Sequence, residues 1–310
     1  MIPTQNYIEF KRKREFGDII TDTFKFLRQN FKMIFKILAK TAGIPFVFFL
    51  VAQVYYNTLT LSTAFIQSSN AFGAFEVTSI LVSAIFMYVF LFLYFSFLFT
   101  GVSCIIKSYI INNGVIKETE AIDNIRAKIG GTLLAGIAKF FILALGYIIC
   151  FIPGIYFSVP LYLLFAVFIF ENKNVSDALG RTFDLVKEEW WITFFTMLLI
   201  GLIWYAASFV ASLPALIYVW IQTFTSIQEI SYTEPDEMFD IVSVIITSIS
   251  AAIQYIMYVI VPIGASFVYY NLNERKHQTG TLERINSIGA SDEEEDDMTN
   301  GSSNGNFGRL

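Results

Sequence analysis

The sequence predicts an all-α, polytopic integral membrane protein with six transmembrane helices, and three observations carry this. Hydrophobic residues make up 55% of the 310-residue chain and charged residues only 15%, against about a quarter charged in soluble domains. Six long apolar runs approach or exceed the ~20 residues needed to cross a hydrocarbon layer about 30 Å thick. The two polar segments that six crossings place together on one side, residues 57–76 and 229–240, contain no Lys or Arg, as the positive-inside rule requires of external loops.

Residues 1–15 are basic, with the run Lys11-Arg12-Lys13-Arg14, and no apolar stretch follows directly as it would in a signal peptide. Phe16, Ile19, Ile20, Thr23, Phe24, Leu27 and Phe31 then recur at one-face helical spacing. A helix over 16–31 is too polar on its other side to cross a bilayer and suits lying in the interface, with Phe24 and Phe31 as anchors. Span 1 is expected at 34–56, with Pro45 inside it, and span 2 at 77–106, closed by Lys107. A weaker amphipathic helix follows at 115–129, with Ala121, Ile122, Ile125 and Ile129 opposite Asp123, Arg126 and Lys128. Gly130-Gly131 is expected to break it.

Spans 3 and 4, at 132–152 and 155–170, form a hairpin about the turn dipeptide Pro153-Gly154. A third amphipathic helix covers 175–190: Val175, Ala178, Leu179, Thr182, Phe183, Val186 and Trp190 share one face. Asn174 or Ser176 can cap it, and Asp177 and Arg181 form an i,i+4 pair. Phe183 would anchor its apolar face, and Trp190-Trp191 fit the aromatic belt at a water–lipid boundary. Span 5 is expected at 190–213, with Pro214 as a kink or exit, and span 6 at 241–270. The membrane domain then covers 16–275. The tail, 276–310, holds the acidic run Asp292–Asp297 and a Gly/Ser/Asn-rich end, a composition that favours disorder.

Shifting the chain by 159 positions places Phe16 on Val175, Asp18 on Asp177, Ile20 on Leu179, Thr23 on Thr182, Phe24 on Phe183 and Phe31 on Trp190. Shared apolar spacing would arise by chance; the shared Asp and Thr-Phe pair argue for an internal repeat. The predicted unit is an amphipathic helix followed by a two-span hairpin, three times over, with both termini in the cytoplasm.

Pro153-Gly154-Ile155-Tyr156, Ala178-Leu179, Phe183, Leu185-Val186-Lys187 and Trp190-Trp191, together with Phe16-Gly17-Asp18-Ile19-Ile20 and Phe24, resemble the multi-pass bacterial membrane proteins gathered around the membrane domain of glycerophosphoryl diester phosphodiesterases. The resemblance covers roughly residues 10–275. It implies a six-span fold and an inner-membrane location. It does not carry the hydrolase chemistry, since no hydrolase domain accompanies these spans in the sequence.

Catalytic constellations are not evident. His277 is the one histidine, so zinc sites built on two or three imidazoles are excluded. The predicted spans hold no Asp pair to share a proton. Cys104 and Cys150 read as small apolar fillers within spans. No phosphate-binding loop or nucleophile elbow occurs. No catalytic, cofactor or metal site is expected, and no nucleic-acid partner. The polar residues inside spans are Lys139, Gln53 and Gln254. Lys139 would snorkel to the headgroups or line a cavity for an anionic group, and the glutamines would hydrogen-bond across the bundle. The function these features favour is a non-enzymatic membrane scaffold or lipid-interacting component, with lipid and another membrane or cytoplasmic protein as partners. The alternative is a transporter or channel for a lipid-like molecule.

Overall fold

A computed structural model describes residues 7–66, 74–228, 241–280 and 282. The regular structure among them is helical: α1 (Phe16–Thr41), α2 (Gly43–Ile66), α3 (Ala74–Ile111), α4 (Glu118–Ile149), α5 (Phe151–Tyr162), α6 (Leu164–Phe170), α7 (Val175–Val186), α8 (Trp190–Gln228), α9 (Ile241–Met257) and α10 (Ile260–His277). Six stretches are long and apolar enough to cross a membrane: Gly43–Thr60, Val77–Ile111, Glu118–Ile149, Phe151–Phe170, Trp190–Ile221 and Val242–His277. The chain is a multi-pass, all-α membrane protein.

Prolines set three of the helix ends. The proline ring excludes the carbonyl four residues upstream from helical geometry, yet proline itself fits the first turn of a helix. Pro45 lies in the first turn of α2, and α1 stops at Thr41. Pro153 lies in the first turn of α5, and α4 stops at Ile149. Pro262 lies in the first turn of α10, and the chain leaves helical form at Tyr258-Val259. These positions correct three expectations. Span 1 does not start at Ile34, because the helix is interrupted at Ala42. The turn between spans 3 and 4 is the single extended residue Cys150, not Pro153-Gly154. Span 6 is two helices rather than one. Span 4 is likewise divided at Leu163, between α5 and α6.

Pro214 is not the exit: α8 runs through it to Gln228. The 38 residues of α3 and 39 of α8 give each a length of about 57 Å, well beyond the hydrocarbon thickness. Gly130-Gly131 does not break the chain either. The expected amphipathic helix 115–129 and span 3 are one continuous helix, α4, because Phe168 packs where a side chain at Gly131 would stand. The segment expected as loop 57–76 is helical up to Ile66 and from Ala74. Residues 229–240 and the acidic run of the tail lie outside the described residues.

Two short helices form the centre. Every residue of α6 from Leu164 to Ile169 is buried, as is α10 from Ile260 to Leu272. A helix that is buried all round needs apolar residues nearly all round; α6 is wholly apolar, and α10 departs from this over Ile260–Leu272 at Ser266, whose hydroxyl donates to the Pro262 carbonyl, and at Asn271. Helices α1, α3, α6 and α8 pack on α10, and the hairpins α2–α3, α4–α5 and α8–α9 surround this centre. The outward faces of α2, α4 and α8 are apolar and exposed, for example Val47, Phe48 and Val51 on α2. This is the pattern of a lipid-facing surface. Glycine allows close approach of α4 and α5: a Cβ on Gly146 would stand 3.2 Å from the backbone of Gly154. Gly201 in α8 has no such neighbour within 4 Å.

Helices α1 and α7 bury equivalent positions. Ile19, Thr23 and Phe26 are buried in α1, and Ala178, Thr182 and Leu185 in α7, which are the same positions after the shift of 159. In both helices the buried threonine hydroxyl donates 2.7 Å to a carbonyl one turn back, Thr23 to Ile19 and Thr182 to Leu179. Asn174, not Ser176, caps α7, its side chain accepting from the Asp177 N–H at 2.9 Å. Arg181 turns away from Asp177 and pairs with Glu171 at 3.1 Å, because Glu171 and Asn273 meet it on the protein side.

Candidate functional site

Two regions hold the polar chemistry of the described residues. The first is the basic end of the bundle, where the N-terminal segment, α1, α7 and the end of α10 come together. The segment 7–14 is not a free basic arm. Phe10 is fully buried, stacked on Phe267 with centroids 4.3 Å apart and edge-on to Phe26. The Arg14 guanidinium is also enclosed. Its Nε donates to Asp22 Oδ2 at 2.9 Å and its Nη1 to the Phe10 carbonyl at 2.8 Å. Its Nη2 donates to the Glu9 carbonyl, and its face lies 4.8 Å from the Phe267 centroid. Arg12 shares Asp22, at 2.9 Å. Burial pulls the Arg14 pKa down; the hydrogen bond and charge of Asp22 oppose that shift. An arginine remains protonated regardless.

The segment is held from α10 as well. The Arg14 N–H donates to Asn271 Oδ1 at 2.7 Å, and Arg275 donates to the Arg14 carbonyl at 3.1 Å. Glu274, also buried, accepts from the Gly280 N–H at 2.9 Å and from the Thr279 hydroxyl. Sequence reading missed Arg14, Asp22 and Asn271. The available signal was Asp22, an acid on the stripe of α1 shared by Ile19, Thr23 and Phe26.

With that stripe on the protein, the outer face of α1 carries Phe24 and Phe31, 40% and 53% exposed. Lys25, Arg28 and Lys32 lie beside them, exposed and without an ion pair among the described residues. These five side chains border an open hollow of about 1170 Å³ that reaches Met33 and Lys36. Lys36 and Lys40 are not available in the same way, since both pair with Glu118 at 2.6 Å. The other expected anchors divide. Trp191 is 66% exposed. Trp190 is stacked between Tyr156 and Phe194 and donates to the Tyr156 carbonyl at 3.2 Å. Phe183 packs edge-on against Phe157. Phe183 and Trp190 are therefore packing residues, because α7 sits against α5 and α6 rather than apart from the bundle.

The second region is the interruption between α9 and α10. At the break the Val259 N–H turns to the Ile256 carbonyl at 3.3 Å. That leaves the Tyr255 carbonyl to the Tyr94 hydroxyl, which donates at 2.8 Å. Trp204 Nε1 donates to the Gln254 carbonyl at 3.2 Å, and the Tyr162 hydroxyl to the Val261 carbonyl at 3.0 Å. Three aromatic donors from α3, α8 and α5 thus serve backbone that lipid could not. Their rings join one cluster: Phe49 with Tyr255 at 4.6 Å, Phe95 with Tyr258 at 4.7 Å, Trp204 with Tyr258 at 5.0 Å and Phe99 with Phe165 at 5.0 Å.

Lys139 lies at the rim of this cluster, its Nζ 5.3 Å from the Phe165 centroid and 5.8 Å from that of Phe99. The three candidate polar residues do not converge. Gln53 Oε1 is buried with no hydrogen-bond partner among the described residues, and half-buried Gln254 enters the site only through its carbonyl. Neither cysteine takes part; Cys104 is buried and Cys150 exposed. His277 ends α10. No group of three or more His, Cys, Asp or Glu among the described residues could hold a metal ion. The chain matches no family model, no curated protein and no solved structure.

Proposed function

We propose that this protein is a non-enzymatic component of a bacterial inner membrane that holds anionic lipid at the cytoplasmic leaflet and serves there as a scaffold. On this reading both termini are cytoplasmic and the amphipathic helices α1 and α7 belong to an internal repeat. The observation that carries it is the outward face of α1: Lys25, Arg28 and Lys32, unpaired among the described residues, beside exposed Phe24 and Phe31. A basic residue near an anionic leaflet contributes about 1 kcal/mol, and an exposed phenyl beside it inserts among the acyl chains. The resemblance to membrane domains accompanying phosphodiesterases supports the same location. A further membrane or cytoplasmic protein would be recruited to the lipid-covered face.

The test is native mass spectrometry of protein exchanged into mixed phosphatidylglycerol and phosphatidylcholine. Wild type should retain phosphatidylglycerol preferentially, and Lys25→Gln/Arg28→Gln/Lys32→Gln should lose about a hundredfold of that preference, as three such contacts imply. Equal retention by the triple variant would sink the proposal. The second reading, transport of a lipid-like molecule, draws support from the interrupted α9–α10 pair, since broken helices line substrate sites in many transporters. Uptake by proteoliposomes is its test.

A further inference from the structure

Among the described residues, the ammonium of Lys139 has no counter-charge. Its side chain departs from α4 beside Gly136, which packs against Phe92, and runs toward the basic end of the bundle until it lies over Phe99 and Phe165. That is the direction snorkelling requires, but the ammonium stops short. Lys107, which does reach the polar boundary, donates to the Ile169 carbonyl and to Asn172 Oδ1, both at 3.0 Å. By the rise of α6 and α3, Phe165 and Phe99 lie about 6 and 12 Å further inside. A lysine ammonium carries three N–H donors. Two phenyl faces attract its charge and accept none of those hydrogens in the manner of an oxygen. Lys139 makes no hydrogen bond or ion pair with any described residue.

Its surroundings fix what could complete it. The partnered carboxylates nearest the bundle among the described residues lie at the basic end: Glu118 with Lys36 and Lys40, Glu171 with Lys173 and Arg181, Asp22 with Arg12 and Arg14, and Glu274 with the backbone of Gly280. The side chain is only half-buried, and its helix neighbours Ile137, Phe140 and Phe141 are exposed on the lipid-facing side of α4. Access is therefore lateral, from among the acyl chains. We propose that Lys139, backed by Phe99 and Phe165, is the recognition group of a binding site for an anionic amphiphile: a carboxylate or phosphate on an apolar chain. The anion accepts the three unmatched hydrogens, the two rings hold the ammonium from behind, and the chain lies along Ile137, Phe140 and Phe141. The site is separate from the outward face of α1 and does not depend on it.

The probes are oleate, oleyl alcohol and phosphatidylglycerol, added to the full chain in a neutral detergent and read by native mass spectrometry. In the Lys25→Gln/Arg28→Gln/Lys32→Gln background, which removes the α1 lipid face, the chain should bind one equivalent of an anionic probe saturably and leave oleyl alcohol unbound. Oleate binding without phosphatidylglycerol binding identifies a carboxylate headgroup; the reverse identifies a phosphate. Lys139→Met keeps the length of the stem and removes the charge, and should weaken binding at least tenfold, whereas Lys139→Arg should retain it. Should the Met variant fail to fold, the wild-type chain decides: acylation of Lys139 by a lipid-soluble amine reagent should slow at least tenfold on adding the bound probe. Equal affinity of the background chain and its Lys139→Met variant, equal binding of oleyl alcohol, absence of saturable binding, or unprotected acylation would each overturn the site. The Lys25/Arg28/Lys32 variant should bind the probe at Lys139 like wild type, so the two sites fail or survive separately.

Discussion

Removing Asp22 tests whether the N-terminal segment is held by a buried charge pair. The Arg14 side chain is 0% exposed and that of Asp22 11%. Asp22→Ala leaves a charged guanidinium enclosed with the Phe10, Arg12 and Glu9 carbonyls as its remaining acceptors. Breaking a buried pair from one side costs about 3–5 kcal/mol; those carbonyls solvate the cation, so the lower end, about 3 kcal/mol, applies. Arg14→Met is milder, about 2 kcal/mol, because Asp22 keeps Arg12 at 2.9 Å. The double variant has no orphaned buried cation and should fall short of the summed costs by about 2 kcal/mol.

The assay is hydrogen exchange of the segment 7–14. In the wild type the Ile8 N–H is held by the Tyr109 hydroxyl at 2.9 Å and that of Arg14 by Asn271 at 2.7 Å. Local opening governs exchange, so Asp22→Ala should accelerate it about a hundredfold. Buried Cys104, left unreactive toward a thiol dye in a Cys150→Ser background, would verify that the bundle stays closed. Unchanged exchange in Asp22→Ala, or a double variant as fast as the two single effects combined, would refute the reasoning.

Tyr94→Phe should destabilise the bundle by about 1–3 kcal/mol, the cost of an unserved buried carbonyl, because the Tyr94 hydroxyl is the donor left to the Tyr255 carbonyl; Tyr162→Phe should cost less, since the Val261 carbonyl belongs to the first turn of α10. Thermal unfolding read by the same thiol dye ranks the two, and the opposite order would contradict the account of the break. At Glu171, burial pushes the carboxyl pKa up, but hydrogen bonds and charge from Lys173 and Arg181 outweigh it and leave the group below the usual carboxylate range. A depressed folded pKa adds stability that is fully present above the usual range and is lost as pH falls below it. Wild type should therefore exceed Glu171→Gln in stability at neutral pH, and the difference should vanish in acid; a difference that grew as pH fell would reverse the assigned sign.

Composition and apolar run length sufficed for the all-α class and the six membrane-crossing stretches, because hydrocarbon thickness sets a length that few soluble helices meet. The helical form of α1 and α7 was legible from one-face spacing, but the buried stripe only in part: Ala178, Thr182 and Val186 are buried in α7 as spaced, whereas α1 buries Ile19 and Thr23 with Asp22 and Phe26 and leaves Phe24 and Phe31 exposed. Helix ends were harder. Pro45, Pro153 and Pro262 each exclude a carbonyl four residues upstream, and reading that rule would have placed the breaks at Thr41, Ile149 and Tyr258. Pro214 shows that the rule alone is insufficient, since α8 continues through it. Whether a helix yields depends on which neighbours can serve the freed backbone, as Tyr94 does at the Tyr255 carbonyl.

Only tertiary structure could decide which basic residues face inward. Arg12, Arg14, Lys25, Arg28 and Lys32 form one basic cluster in sequence, yet Asp22 captures the first two while the last three pair with no described residue. Sequence spacing determines which residues share a face of α1; α10, supplying Phe267 and Asn271 from the far end of the chain, determines which face is covered. The same holds for Lys139. Its place in an apolar run marks it as costly, but the rings of Phe99 and Phe165 belong to two other helices, and their position sets how far the ammonium travels before it stops.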